Sequence, residues 1–445
     1  MGGERMTSYV AFLMFPALLI LILAGFPIAF SMISVALVAG YLQFGDGVIF
    51  QLLSKMDDVA TNSVLAAVPL FIFIGAMLER SGIAERLFDA VHVWTRRVPG
   101  SLGVSAVLLG TIFAAASGVV GATETVIGML AVPIMLKHAY DKSLISGTIC
   151  ASGSLGTVIP PSITVIVLAP VANVSVGDLF AGLLFPGLVM AALFIAYVVG
   201  IAMLKPAFAP REEETPVLSI SQKIRMTVFA LVPTMALIFT VLGTILLGIA
   251  TPTEAAACGA AGTLILSLAY RTFTWGILWN ALRRTASITA MILLIVLGGN
   301  MFAGVFFASG GMDSVQSLLS TLGLSGAGAV TAILVLAFLA GFVLDLISVV
   351  LILIPLAMPI VTGYGVDPVW FAVTFLVVLQ TSYLTPPMAP SIFYLRAITP
   401  PEITLRHMYR GVLPFIGMQL VTLVLVILFP GLVLWLPEQM SGPSW

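Results

Sequence analysis

An apolar segment of this 445-residue chain is interrupted by ASGVVGATET at residues 116–125 and becomes apolar again up to Pro133. Asp141 follows, and a second interruption, GSLGTVIPP, occupies residues 153–161. Both interruptions place small, hydroxylated or helix-breaking residues inside segments that are otherwise apolar. We interpret this pattern as a binding site built where helices are broken.

The same pattern recurs in the second half of the chain. The second copy consists of GFVLDLIS at 341–348, Pro359, Asp367 and TSYLTPP at 381–387. The intervals between the first proline, the aspartate and the proline pair are equal in the two copies. This agreement predicts an internal repeat.

The composition predicts an all-α polytopic membrane protein. Hydrophobic residues make up 60% of the chain, charged residues only 8%, and the mean hydropathy is +1.18. Long continuous apolar runs of about 20 residues are typical of helices that span a bilayer. The net charge of -1 implies no nucleic-acid partner.

Each half is predicted to contain five membrane crossings and one re-entrant helical hairpin. In the first repeat, residues 1–204, we expect spans at 9–24, 28–43, 60–78 and 179–203, an amphipathic arm at 79–97, a hairpin at 101–136 and a broken span at 143–171. A hydrophilic, cytoplasmic linker covers 205–225. In the second repeat, residues 226–445, we expect spans at 226–247, 253–270, 285–308 and 411–436, an arm at 312–322, a hairpin at 326–361 and a broken span at 369–395.

The segment 101–136 has two interpretations, a broken span or a hairpin that enters and leaves on one side. Arg96 and Arg97 precede it, and Lys137 and Lys142 follow it. Basic residues favour the cytoplasmic face, so both ends should lie there. This charge pattern favours the hairpin.

An odd number of crossings places the two halves upside down relative to each other, the inverted-repeat plan of secondary transporters. With both termini outside, every lysine and arginine except Arg5 and Lys55 faces the cytoplasm. The two hairpins then enter from opposite faces, and their tips are expected to meet near the midplane.

The breaks supply candidate oxygen ligands. Freed carbonyls and helix C-termini are partly negative and suit a small hard cation, whereas helix N-termini are partly positive and suit an anion. Oxygen ligands without histidine or thiolate indicate sodium or protons rather than a transition metal. The cation-site candidates are Ser117, Gly118, Gly121, Thr123, Gly153, Ser154 and Thr157 in the first repeat, and Gly341, Asp345, Ser348, Thr381, Ser382 and Thr385 in the second. The substrate-cavity candidates are Glu124, Thr125, Pro160, Pro161, Pro386 and Pro387.

Structural roles compete with these functional ones. Serine and threonine in membrane helices commonly bond back to carbonyls of their own helix. Glu124 is also suited to cap the start of its helix, as Glu254 is within TPTEAAA at 251–257, where Thr251 and Pro252 are typical of a helix start. Gly298-Gly299-Asn300 predicts either a flexible joint or a close helix contact.

No catalytic constellation is present in the sequence. It contains no paired-carboxylate, Ser-His-Asp or metal-ligand spacing and no phosphate loop of the form G-x-x-x-x-G-K-[ST]. We therefore expect that the protein is not an enzyme and needs no cofactor beyond coupling ions.

The motifs together resemble the large permease subunit of tripartite ATP-independent periplasmic (TRAP) transporters, the DctM type. The motifs are TPTEAAA at 251–257, GSLGTVIPPS at 153–162, VPLF at 68–71 with SGI at 81–83, Leu344-Asp345, and LTPPM at 384–388. They occur in the family's order and cover essentially the whole chain. The first hairpin departs from the family pattern S-G-S-A-x-A-D, since Val119, Val120 and Thr123 replace its serine, alanine and aspartate, so backbone carbonyls are candidates for that cation site.

The resemblance implies a subunit of the bacterial inner membrane that takes up organic acids, mostly carboxylates, driven by a sodium gradient. It implies two protein partners, a periplasmic binding protein that delivers the substrate and a small four-span membrane subunit. It also implies an elevator mechanism, in which hairpins and broken spans move against a scaffold. The alternatives are a stand-alone sodium/divalent-anion symporter of similar hairpin architecture and a passive channel.

Overall fold

The computed structural model describes residues 2–118, 121–211, 219–321, 323–386 and 389–441, and within these ranges every regular element is helical. The first half contains α1 (Gly2–Leu23), α2 (Ile28–Phe44), α3 (Gly47–Ala60), α4 (Ala67–Arg80), α5 (Ile83–Thr95), α6 (Ser101–Ser117), α7 (Ala122–Lys137), α8 (Lys142–Ser154), α9 (Ile163–Ala172) and α10 (Val176–Leu204). The second contains α11 (Ile220–Ile238), α12 (Thr244–Leu246), α13 (Pro252–Ala269), α14 (Trp275–Ala308), α15 (Gly311–Thr321), α16 (Gly326–Ala340), α17 (Leu346–Gly363), α18 (Pro368–Leu384), α19 (Pro390–Ile398), α20 (Leu405–Leu428) and α21 (Gly431–Ser441). The predicted all-α polytopic fold is confirmed.

Within the described residues, five helices are by themselves long and apolar enough to cross a membrane: α10, α11 with its continuation through Leu246, α14, α17 and α20. A sixth candidate is the pair α4–α5, which bends by 67° at a short break. The remaining apolar helices have 10 to 17 residues.

The two aspartates of the repeat have the same structural role. The Asp141 side chain accepts the backbone N–H groups of Ser143 and Leu144 at 2.9 and 3.0 Å and so caps α8. The Asp367 side chain accepts the N–H of Trp370 at 2.8 Å and caps α18. The equal spacing in the sequence therefore marks two equivalent helix starts.

In both hairpin segments, the end of the second helix lies next to the start of the first helix. The Tyr140 hydroxyl, beyond the end of α7, accepts the backbone N–H of Leu102 at the start of α6, at 3.4 Å. The Tyr364 hydroxyl, beyond the end of α17, donates to the carbonyl of Leu324, ahead of α16, at 3.4 Å. This geometry is the one a hairpin requires and a straight crossing lacks.

The helices pack as two groups. The hairpin group consists of α6–α10 and α16–α21, and the outer group consists of α1, α2, α4, α11, α13 and α14. In the hairpin group α8 packs on α20 with the backbones touching: a Cβ on Gly147 would lie 2.0 Å from the Gly411 carbonyl oxygen. The groups meet where α14 contacts α17 and where α4 contacts α6 and α9.

Helix α14 is unbroken at Gly298-Gly299-Asn300, so the close-contact interpretation holds. A Cβ on Gly298 would lie 2.9 Å from the Ala29 carbonyl oxygen of α2, and one on Gly299 would lie 2.6 Å from Leu351 Cβ of α17. Glycine lets α14 approach both groups at once.

Two local expectations were wrong. Residues 47–60 form the amphipathic helix α3, which the sequence analysis did not predict, and α4 begins at Ala67 rather than near residue 60. The intervening turn is held by the Asn62 side chain, whose Oδ1 accepts the N–H groups of Val64 and Leu65 at 3.0 and 3.3 Å. An asparagine that bonds to the backbone in this way competes with helix formation.

Candidate functional site

The tip of the first hairpin docks on the break of the first broken span. Gly118 has a left-handed backbone with φ +61°, and a Cβ there would lie 2.4 Å from the carbonyl oxygen of Pro161. The N–H of Ile163, the first residue of α9, donates to the Gly118 carbonyl at 3.3 Å. Only glycine fits this position without displacing the break.

The first cation-site set lies in buried surroundings around these turns. The hydroxyls of Ser117 and Thr123 lie 3.5 Å apart across the tip. Ser154 Oγ donates to the Ala151 carbonyl at 2.8 Å, and Thr157 Oγ1 donates to the Ser154 carbonyl at 2.9 Å. Ser154 and Thr157 thus have the back-bonding role expected in a membrane helix, while their oxygens retain lone pairs for a further ligand.

The second hairpin tip docks on the second break in the same way. A Cβ on Gly341 would lie 2.1 Å from Ser382 Oγ. Asp345 caps α17: its carboxylate accepts the N–H groups of Ile347 and Ser348 at 3.1 and 3.3 Å and also the Ser348 hydroxyl. The second set is therefore gathered at one tip, with its acid held by the start of α17.

The remaining hydroxyls of the second set also donate to carbonyls of their own helix. The donor–acceptor pairs are Thr381 to Val377 at 3.0 Å, Ser382 to Leu379 at 2.7 Å and Thr385 to Thr381 at 2.6 Å. Gln380, which the sequence analysis overlooked, is fully buried, and its Nε2 donates to Ser154 Oγ at 3.3 Å. This bond joins the two repeats at the level of the breaks.

One cavity of about 360 Å³ lies between the two tips and α14. Five of the predicted site residues line it: Gly118, Gly121, Thr125, Gly341 and Asp345. Pro160, Pro161 and Pro386 are outside its lining, and Pro387 lies outside the described residues.

Four helix starts converge on this cavity. Thr125 lies in the first turn of α7, Ile163 begins α9, Asp345 caps α17 and Pro390 begins α19, and all four residues line the cavity. The helix dipole makes the start of each helix partly positive, although the N–H of Ile163 is bonded to Gly118 and those at the start of α17 are bonded to Asp345. The cavity is therefore suited to an anion.

Arg284 of α14 is the cation in the cavity lining, and sequence reasoning assigned it only to the cytoplasmic flank. Its Nη1 lies 2.8 and 2.7 Å from Oε1 and Oε2 of Glu79, at the end of α4. Glu79 thus occupies one amino group, and in the described part of the chain the other donors of Arg284 form no hydrogen bond. A guanidinium with free edges can bind a second carboxylate.

Glu124 is completely buried behind the cavity wall. The N–H of Gly121 donates to one of its oxygens, which is the capping contact anticipated from the sequence. The hydroxyls of Tyr383 and Ser391 lie beside the carboxyl. The other oxygen, Oε1, accepts no hydrogen bond within the described residues. A buried carboxylate in this situation needs a cation or a proton.

The capping interpretation of Glu254 is confirmed. Its carboxylate accepts the N–H and the hydroxyl of Thr251 at 2.9 and 2.8 Å, and the side chain is exposed at the start of α13. Glu254 does not line the cavity between the hairpin tips.

Residues 15–432 match the family described as "Tripartite ATP-independent periplasmic transporter, DctM component". The C4-dicarboxylate TRAP transporter large permease protein DctM of Pseudomonas aeruginosa is 30% identical over 403 residues, which cover 90% of this chain and 92% of that protein. The sialic acid TRAP transporter large permease protein SiaM of Vibrio cholerae is 28% identical, with 95% and 97% covered. The ectoine/5-hydroxyectoine TRAP transporter large permease protein UehC of Ruegeria pomeroyi is 30% identical, with 95% and 98% covered.

The crystal structure of the YdaH transporter of Alcanivorax borkumensis has a similar fold. It superposes with a TM-score of 0.66 at 16% sequence identity, covering 94% of this chain and 98% of that chain. At this identity the likeness concerns the fold alone.

Proposed function

This chain belongs to the DctM-component family of TRAP transporters, and from that premise we propose that it is the membrane subunit through which an organic acid enters the cell in symport with sodium. A multi-pass protein of the inner membrane, it would work with a small four-span membrane subunit and a periplasmic binding protein that delivers the acid. Both termini would face the periplasm.

The observation that carries the proposal is the cavity on which four helix starts and Arg284 converge. Helix N-termini and an arginine together favour a carboxylate over a neutral or cationic solute. The named compounds of two relatives, C4-dicarboxylate and sialic acid, agree with this choice. The cavity volume of about 360 Å³ lies in the range of sites for small molecules.

Coupling to sodium is supported by the opposite helix ends. Ser117, Ser154 and Leu384 are the last residues of α6, α8 and α18, so that partly negative helix ends lie at the same breaks. Oxygen ligands are abundant there, and Glu124 contributes a buried carboxyl with one unpartnered oxygen. In the described residues no group of three or more histidine, cysteine or acidic side chains could hold a metal. Carbonyls, hydroxyls and one acid suit sodium.

An elevator is supported by the two packing groups. The hairpin group contains both tips and both breaks, and the outer group contributes Arg284 and Glu79 to the boundary. Cation binding would fasten the tips, and the hairpin group would then slide against α4 and α14 with the acid enclosed. The bound substrate would contact both groups before the movement. It must therefore separate from Arg284 when the hairpin group moves.

Reconstitution tests the proposal. The chain is placed in vesicles with its small subunit, the binding protein is added outside, and uptake of labelled succinate and sialic acid is followed under an imposed sodium gradient. We expect saturable uptake that requires both partners and the gradient. Unchanged uptake without a sodium gradient would refute coupling, and unchanged uptake without the binding protein would favour a stand-alone symporter.

A further inference from the structure

A second cavity, of about 730 Å³, lies where α5, α11 and α13 meet. Its charged lining consists of Arg86 on α5, Arg225 on α11 and Arg271, two residues beyond α13. We call this the three-arginine cavity. It shares no lining residue with the cavity between the hairpin tips.

Two of the three arginines stack on aromatic rings, and those rings belong to residues joined by a hydrogen bond. The guanidinium carbon of Arg86 lies 4.7 Å from the ring centroid of Tyr270, and that of Arg225 lies 5.9 Å from the ring centroid of Phe229. The Tyr270 hydroxyl donates to the Phe229 carbonyl at 2.6 Å and so connects the two rings. A guanidinium stacked on a ring keeps its N–H edges free to bind an oxyanion.

The three charges lack a counter-ion in the part of the chain that the structure describes. No carboxylate of those residues lies within 4 Å of Arg86, Arg225 or Arg271, and none lines the cavity. Three like charges that converge in one cavity repel one another. All three side chains are exposed, so an anionic ligand can reach them and would relieve this repulsion.

The floor of the cavity and its surroundings are apolar. Met226, Pro233 and Leu266 line it, and Ile265 and Leu268 on the adjoining face of α13 are 64% and 58% exposed. Arg225 lies in the first turns of α11 and Arg271 follows the end of α13, so the charges lie at the ends of apolar helices. The matching ligand has an anionic head and apolar chains.

We propose that the three-arginine cavity binds the phosphate of an anionic membrane phospholipid, whose acyl chains lie along α11 and α13. Arginine binds phosphate oxygens through paired N–H donors, and basic sites between membrane helices recognise such headgroups. Because α5 leads directly into the first hairpin, the bound lipid holds this arm against the outer group.

The backbone at Arg271 supports a role for its side chain. Arg271 has a left-handed conformation with φ +57°, which is unfavourable for an ordinary residue and which glycine adopts freely. Glycine would adopt this backbone conformation more easily. The presence of arginine instead indicates a role for its side chain. Arg271→Gly consequently removes the charge without straining the fold.

Native mass spectrometry of the purified full-length protein tests the proposal. The variants are Arg271→Gly, the triple variant Arg86→Gln/Arg225→Gln/Arg271→Gln, and a control triple variant, Arg283→Gln/Arg406→Gln/Arg410→Gln, which removes three exposed arginines from outside the cavity. Each protein is titrated with phosphatidylglycerol, phosphatidylcholine or inorganic phosphate alone.

We expect one phosphatidylglycerol to remain bound to the wild type and to the control triple variant. Affinity should fall about fivefold in Arg271→Gly and on the order of 100-fold in the cavity triple variant, at roughly 1 kcal/mol for each arginine. Unfolding temperatures of the variants separate a lost ligand from a lost fold.

Three results would overturn the proposal. Equal phosphatidylglycerol retention by the two triple variants would mean that the lipid binds elsewhere on the protein. Equal retention of phosphatidylcholine would remove the need for an anion. Occupancy by inorganic phosphate with the same affinity would make the ligand a free anion rather than a lipid.

Discussion

Gly153 lies so close to Glu124 that a Cβ at position 153 would be 2.0 Å from Glu124 Cγ and 2.9 Å from its Cα. The two residues belong to α8 and α7, the broken span and the hairpin of the first repeat. The missing side chain allows the Glu124 carboxyl to lie fully buried beside the break.

Gly153→Ala should therefore destabilise the protein by about 3 kcal/mol, because neither the Glu124 backbone nor helix α8 can shift without disturbing the hairpin contact. Thermal unfolding in detergent measures the effect. Gly200→Ala in α10 is the control: nothing lies within 4 Å of its Cβ position, and we expect a stability equal to or above that of the wild type. Equal unfolding temperatures for the two variants would contradict the packing argument.

Arg284→Gln should lower kcat/KM for the acid about 10- to 100-fold, the worth of a hydrogen-bonded contact to a charged group. The exposed neighbour Arg283 is outside the cavity, so uptake by Arg283→Gln should match that of the wild type. Uptake kinetics in vesicles distinguish the two variants.

A purely structural Arg284–Glu79 pair predicts a different outcome. The side chains are 31% and 11% exposed, so the loss of either partner also costs stability. The double variant Arg284→Gln/Glu79→Gln removes both charges and should regain stability without regaining uptake. Recovery of both properties together would make the pair a structural clamp rather than part of the binding site.

Glu124→Gln should raise the sodium concentration for half-maximal uptake by on the order of tenfold, because the amide preserves side-chain size but carries no charge for the cation. The exposed capping acid Glu254 provides the control, and Glu254→Gln should leave the sodium dependence unchanged. Uptake measured over a series of sodium concentrations gives the answer. If Glu124→Gln and Glu254→Gln both showed the sodium dependence of the wild type, Glu124 would have no part in coupling.

Gly118→Ala should cost several kcal/mol and abolish uptake, since it combines a left-handed backbone with a Cβ 2.4 Å from the Pro161 carbonyl oxygen. Gly82 has a similar φ, +67°, but nothing within 4 Å of its Cβ position, so Gly82→Ala should cost only about 1 kcal/mol. Comparison of the two unfolding temperatures isolates the tip contact. Equal losses would show that backbone conformation alone makes glycine necessary.

Local breaks in this fold are visible in the sequence because their causes are local. The Pro160-Pro161 pair and the positive-φ glycines lie in breaks between helices, and Asp141 and Asp367 cap helices through their own side chains. Helices α6 and α8 consequently end at Ser117 and Ser154, within the interruptions of the apolar sequence. The two cation-site sets gather around these turns, and their role in binding sodium remains a prediction.

Contacts between helices that are far apart in the sequence could not be predicted in this way. Helix α14 begins at Trp275, ten residues before the predicted span, so that Arg284 lies within a helix that reaches the tips rather than in a flanking loop. Gln380 and Tyr383 gave a usable signal as polar residues in an apolar span, but Ser154, which Gln380 contacts, and Glu124, which lies beside Tyr383, belong to the other repeat. Such pairings depend on how the halves pack.

The backbone contact between Gly147 and Gly411 has a mechanical consequence. At this contact no side chain separates α8 from α20, and their backbones interlock. We therefore expect the two helices to move together. If the first broken span moves in transport, α20 would move with it, and a fluorescent label on α21, in the same packing group, would report that movement.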